Sequence, residues 1–270
     1  MFNLLRQLAL LSIFAFGSCC QAEETPKSQD SHWGFNLSLY TWLAGLTGDF
    51  SVGPLSKSVD SNFIDIVDKS RRFPMGFNGR IEANYDRFGV FLSGGYMGIR
   101  LSPAFSNFSR GLDTDLGQMD YGVSYRILGP TAAEAPSWKG KKQPGRLDVY
   151  VGARTLLLGN GIELRLPSGR VVTPSASHSF TSPIIGGRFT VDFTPEIFVM
   201  VDANGGGFNA DNVSFTGGAL GAAGYKLTAF DTPLSIQAGY KAIRYEVNAG
   251  PLMSAKATLH GPFVGLTAYW

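Results

Sequence analysis

The chain has 270 residues and a formal net charge of +2, with charged side chains at 16% of positions, against roughly 25% in soluble domains. A balance this even excludes a nucleic-acid binder, which calls for a strongly basic face. Its 34 glycines, 20 phenylalanines and 10 tyrosines fit strands better than helices.

The N-terminal stretch MFNLLRQLALLSIFAFGSCCQA, residues 1–22, carries Arg6, an apolar run from Leu8 to Phe16 and small residues ahead of Glu23. That is the layout of a secretory signal peptide. Its apolar run falls far short of the ~20 residues a membrane helix needs. Cleavage after Ala22 removes Cys19 and Cys20 and leaves no thiol for a disulfide or a metal site. A rival cut, inside FGSC, would leave Cys19 at the new N-terminus for lipidation. Residues 23–32 then form a short periplasmic segment and residues 33–270 the folded domain.

From there the sequence alternates. In MGFNGRIEANYD, Met75, Phe77, Ile81, Ala83 and Tyr85 share one face and Asn78, Arg80, Glu82 and Asn84 the other. LGQMDYGVSYRI, RLDVYVGART and PLSIQAGYKA repeat the pattern, which is strand periodicity. Strands are predicted near residues 33–45, 74–85, 88–100, 115–127, 146–158, 180–193, 196–204, 212–227, 234–245 and 257–270. Asp86–Arg87, Thr194–Pro195 and Ala229–Pro233 are short connections, whereas 46–73, 101–114, 159–179 and 246–256 are long and 205–211 is modest. Short turns at one end and long loops at the other are the arrangement of an all-β, antiparallel, up-and-down transmembrane β-barrel of about ten strands, with eight or twelve as alternatives. The proline- and lysine-rich connection 128–145 is the exception, being long on the turn side. Both ends of the chain fall on the turn side, which makes the termini periplasmic.

Aromatic residues gather at the turn-side strand ends. Trp33, Phe35, Tyr85, Phe88, Tyr125, Phe193, Tyr225, Tyr269 and Trp270 are the expected membrane anchors, because amphipathic rings favour the headgroup level. The final stretch FVGLTAYW keeps strand alternation to the last residue and is predicted to close the sheet against the first strand.

Two stretches carry a resemblance. GLTAYW is similar to the aromatic-terminated closing strand of Gram-negative outer-membrane proteins, and LYTWLAGLTGDFSVG followed by FIDIVD resembles a largely uncharacterised outer-membrane β-barrel family with a W-L-x-G-L-x-G start. The resemblance implies a cell outer-membrane location and recognition by the barrel-assembly machinery, with outer-membrane lipid and lipopolysaccharide as surroundings. It implies no reaction.

The polar face is expected to line the lumen. Arg80, Glu82, Asp120, Arg126, Asp148, Arg154 and Arg188 head the set, with Asp202, Lys226 and Lys241. About ten strands make a barrel little wider than the eight-stranded kind that its own side chains fill, so these charges should pair into a plug. Such a protein is structural or surface-interacting and not an enzyme; the alternative is a narrow conduit for small or hydrophobic solutes.

A third reading is a lipid-A-modifying hydrolase or acyltransferase using His178, in SASHSFTS, or His260, although no neighbouring acid would orient either imidazole. NGGGFNADNV has one imperfect glycine–aspartate unit and is read as a flexible loop. NFIDIVD places Phe63, Ile66 and Val67 at helical spacing, with Asp60, Asp65 and Asp68 as solvated acids. No cofactor motif or metal-ligand spacing is present in the sequence.

Overall fold

The computed structural model describes residues 32–52, 55–61, 75–101, 109–132, 145–165, 171–172, 175–248 and 253–270. The signal peptide, Cys19, the segment up to Ser31 and the 63–68 turn with Asp65 and Asp68 lie outside the described residues. His32–Trp270 forms one compact unit.

Thirteen strands are present among the described residues: β1 (Trp33–Leu43), β2 (Gly45–Val52), β3 (Leu55–Ser61), β4 (Met75–Tyr85), β5 (Phe88–Leu101), β6 (Ser109–Leu128), β7 (Arg146–Arg165), β8 (Val171–Val172), β9 (Ser175–Asp192), β10 (Ile197–Ala210), β11 (Val213–Ala229), β12 (Thr232–Asn248) and β13 (Met253–Tyr269). β1 and β2 are one stave interrupted at Ala44, and both pair with β13. Every neighbouring pair is antiparallel, and the circuit closes where Asn36 to Trp42 run against Tyr269 to Phe263. The result is a closed barrel of ten staves. Phe35 and Trp270 exchange both backbone hydrogen bonds, at 3.0 and 2.9 Å, and so fasten the last residue into the seam.

Within each stave the period of two sets the faces. Leu39, Phe77, Ile81, Val90, Leu92, Val123, Val151, Ile185, Val201, Ile236, Val264 and Leu266 all project outward and are exposed. A belt of exposed aliphatics around a closed sheet has one stable surrounding, which is hydrocarbon. The turn-side rim of this belt carries Trp33, Phe35, Tyr85, Phe88, Tyr125, Phe193, Tyr225 and Trp270, all outward and exposed. Tyr269 does not join them. Its hydroxyl lies 3.0 Å from Ser235 Oγ on the inner face, because consecutive strand residues point to opposite sides and Trp270 already takes the outer one.

Towards the loop side the pattern inverts. On β12, Ser235, Gln237 and Lys241 face in below, but Ile243, Tyr245 and Val247 face in above, while Arg244 and Glu246 face out and form an ion pair. β13 does the same, with Ala255 and Leu259 inside and Lys256 outside. Below the inversion the barrel is greasy outside and polar inside; above it, it is built like a soluble barrel. The staves therefore rise past the membrane. Segments expected as loops are strands: β6 starts at Ser109, β7 runs to Arg165, β9 starts at Ser175 and β12 ends at Asn248. The expected loop 46–73 begins instead as the hairpin β2–β3, in which Thr47 donates to Asp60 at 3.1 Å.

NGGGFNADNV is likewise no flexible loop. Its glycines pair across to β11, a bulge follows Gly207, and Asp211–Asn212 make a two-residue turn with φ of 47° and 64°. A Cβ at Gly207, where φ is +101°, would meet the Phe215 backbone at 2.8 Å. The long connection 128–145 does not upset the strand count, since β6 and β7 pair directly.

A bilayer folding assay separates the two zones. Val151→Arg, in the lipid-facing belt, should lower folding free energy by about 2–4 kcal/mol in urea titrations with lipid vesicles. Ser179→Arg, on the outer face above the inversion, should change it by less than about 0.5 kcal/mol. Equal costs would place both positions in the same solvent.

Candidate functional site

Among the described residues, the polar side chains of many staves converge in the lumen, and it is layered. At the turn-side mouth, Arg126 Nη1 donates to the Pro130 carbonyl at 2.7 Å, and the Ala132 amide donates to the Asp86 carbonyl at 3.0 Å. Ala132 is thereby carried under the inner face of β1, where a Cβ on Gly34 would touch its methyl at 3.4 Å. The start of the long turn-side connection thus folds across the barrel mouth. Lys226 is bonded to Asp192 nearby.

Above this lies the main charge layer. Arg188 reaches across from β9, donating Nη1 to Glu82 on β4 at 2.7 Å and Nε to Asp202 on β10 at 3.0 Å. Glu82 also accepts from Arg80 and, at 3.2 Å, from Asn36. Asp202 takes a further 2.7 Å bond from the Tyr150 hydroxyl. The Arg80 guanidinium rests 4.4 Å from the centre of the Phe91 ring, and Phe91 meets Tyr150 edge-on. Arg126 and Arg146 share the Asp148 carboxylate at 2.8 and 2.9 Å.

A second layer centres on Arg154. Arg154 grips Asp120 through Nε and Nη2 at 2.8 and 2.7 Å and sends Nη1 to Thr216 on the far wall at 3.0 Å. Gln118 donates to Asp120 at 3.0 Å and accepts from Tyr245. Lys241 donates to the Tyr40 hydroxyl at 2.9 Å with its ammonium 4.8 Å from the Trp42 ring. A paired and hydrogen-bonded charge is the form in which burial is tolerable, since a carboxylate left alone here would cost several kcal/mol.

An apolar layer caps these charges on the loop side: Trp42, Leu46, Met97, Leu156, Phe180, Val213, Ile243, Val247, Leu259 and Phe263 pack as one cluster. Arg154 is 1% exposed, Thr216 0% and Val213 0%, so a water-sized sphere does not reach them from either end. The lumen at this level is filled.

All seven headline lumen residues face inward, but they split into three groups: Arg80, Glu82 and Arg188; Arg126 and Asp148; Asp120 and Arg154. Sequence reasoning missed Arg146, Gln118, Thr216 and Tyr245 as their partners. Arg146 shares parity with Asp148 and was readable on that ground. Tyr245 was not, because it reaches Gln118 from a stave on the other side of the barrel. The apolar cap was missed altogether.

Neither His178 nor His260 is hydrogen-bonded to a serine, threonine or carboxylate among the described residues. His178 is exposed and stacks on Phe180 with centroids 6.3 Å apart. His260 Nδ1 lies 2.6 Å from the Tyr240 hydroxyl, both on the outer face. The histidine–carboxylate contact that does form, His32 Nδ1 to Asp86 Oδ1 at 2.7 Å, sits at the turn-side rim. No group of three or more metal-ligating side chains occurs among the described residues.

The closed sheet, the apolar belt and the filled polar interior decide the class. The chain is a membrane β-barrel. No family model and no curated protein matches its sequence. Among solved structures it is similar to the outer membrane protease OmpT of Escherichia coli, at 9% identity and a TM-score of 0.47 over 92% of this chain and 99% of that one. It is also similar to a major outer membrane protein from Thermus thermophilus, at 11% identity and a TM-score of 0.40 over 88% and 99%. A third is the attachment invasion locus protein Ail of Yersinia pestis, at 12% identity and a TM-score of 0.37 over 88% and 99%.

The layering predicts unequal costs for removing charges. Arg154→Ala strands the Asp120 carboxylate in the filled lumen and should lower stability by about 3–5 kcal/mol. Arg244→Ala breaks an ion pair in solvent and should cost no more than about 1 kcal/mol. Denaturant midpoints of the two refolded variants give the comparison.

Proposed function

We propose that the protein is a sealed barrel of the Gram-negative outer membrane, with periplasmic termini, which holds its loop-side β-walls at the cell surface and catalyses no reaction itself. The observation that carries this reading is the filled cross-section at one level, where an apolar cluster lies over the Arg154–Asp120 pair and Arg154, Thr216 and Val213 are out of reach of water. A conduit for ions or small solutes requires wetted inner side chains, and the lumen-facing residues at Arg154 and Thr216 are dry. A hydrolase or acyltransferase of the serine–histidine kind needs a serine hydroxyl on its imidazole, whereas among the described residues His178 stacks on Phe180 and His260 meets the Tyr240 phenol on the outer face. The inversion of polarity supports a role above the membrane. Staves that continue well past the lipid belt, with their own apolar core, form a rigid stand for whatever the loops contact.

Planar bilayers test the seal. Purified protein should give no discrete conductance, and steps that change on replacing Arg154 would overturn the reading. Orientation has a separate test, because cleavage after Ala22 leaves a chain without cysteine. A single Ser179→Cys should react with an impermeant maleimide on intact cells, and Phe230→Cys, at the fully exposed tip of the β11–β12 turn, only after the outer membrane is opened.

A further inference from the structure

The outer surface across β13, β1 and β4 carries a shallow depression. Gly79 on β4 and Thr41 on β1 form a low floor between the exposed side chains of Leu39, Phe77 and Val264, an open groove of about 480 Å³. Gly79 pairs with Leu39 on one side and with Gly94 on the other, so the floor continues on to β5. The groove lies within the lipid-facing belt, and the occupant available at that depth is a hydrocarbon chain.

Following β13 upward from Val264, the outer face passes Pro262 and reaches His260. With ~3.3 Å per residue and a strand tilt of ~40°, the ten residues from Trp270 to His260 climb roughly 25 Å, the height of an apolar belt. His260 therefore stands at the opposite headgroup level from Trp270. Its Nδ1 is held by the Tyr240 hydroxyl at 2.6 Å, and the rings stack with centroids 6.1 Å apart. In the tautomer in which Tyr240 donates, and equally in the protonated ring, Nε2 is a hydrogen-bond donor, and no partner for it occurs among the described residues. Lys256 stands exposed on the same outer face of β13, four residues further on.

We propose that this face is a binding site for one lipopolysaccharide molecule, with an acyl chain in the groove over Gly79 and Thr41 and a phosphate-bearing headgroup hydrogen-bonded to His260. The groove supplies shape for the chain and the oriented imidazole a donor for an anionic oxygen, while Lys256 stands above it between Glu246 and Asp49 of the neighbouring staves. The choice of lipopolysaccharide over phospholipid rests on the proposed orientation, which puts the loop side in the external leaflet.

Native mass spectrometry of the full-length barrel, purified in mild detergent and offered rough lipopolysaccharide or phosphatidylglycerol, tests the site. Wild type should retain one lipopolysaccharide and little phosphatidylglycerol. Gly79→Leu fills the groove from the lipid side, and its Cβ would meet only Leu39 Cδ2 at 3.5 Å and the Ser38 carbonyl at 3.8 Å, so the sheet need not shift. His260→Ala removes the headgroup donor. Each variant should lose about tenfold in retained lipopolysaccharide while keeping the heat-dependent gel mobility of a folded barrel. Undiminished retention in both variants overturns the site, and preferential retention of phosphatidylglycerol overturns the choice of lipid. The maleimide experiment reports orientation independently, so failure of the site and failure of the proposed topology are distinguishable.

Discussion

A sheet surrounded by hydrocarbon cannot leave an edge. Each unpaired backbone amide or carbonyl in lipid costs several kcal/mol, so the chain must bring its last stave back against its first. The seam between β1 and β13 is where that condition is met, and it runs unbroken from Asn36–Tyr269 to Trp42–Phe263. The other features follow from closure. Because the sheet closes, it has an inside, and because it has only ten staves, that inside is narrow enough for side chains to fill it. A filled interior with charges in it forces those charges to pair.

The lumen solves this problem in two ways at two heights. Level with the lipid belt the outer face must be apolar, so the polar residues of each alternating strand are turned inward and satisfy one another, as Arg188 does with Glu82 and Asp202. Above the belt water takes over outside, the polar residues turn outward, and the inner face becomes an ordinary hydrophobic core around Ile243, Val213 and Leu259. The junction is marked by Lys241, whose ammonium lies against Trp42 of the upper layer while it donates to Tyr40. One chain thus contains a membrane barrel and a water-solvated barrel joined end to end without a change of stave.

Local conformation supports this continuity. The β10–β11 and β11–β12 connections are reduced to two residues with positive φ, Asp211–Asn212 and Phe230–Asp231, whose twist suits neighbouring antiparallel strands. Short connections hold the register of adjacent staves, and register decides which charges meet. Asp120 stands opposite Arg154, Arg126 opposite Asp148 and Arg188 opposite Asp202 because their staves are locked at those offsets.

The sequence by itself determined the features that depend on spacing along one strand. The ten alternating segments, the outward faces of Val151 or Ile236 and the inward faces of Arg80 and Arg154 could all be read from a period of two. So could the inward face of Tyr269, which shares its parity with the buried Phe263 and Thr267. The loop-side extensions were hidden because their pattern is inverted and rich in serine and glycine; Ser175 to Ser179 looks like a loop until it is seen to pair with Gly161 to Leu157 of β7. Only the tertiary structure decided which residues meet across the lumen: Tyr245 with Gln118, Arg154 with Thr216, Arg188 with Glu82. Those contacts join staves that are not neighbours, and they depend on the tilt and stagger that appear once the sheet has closed.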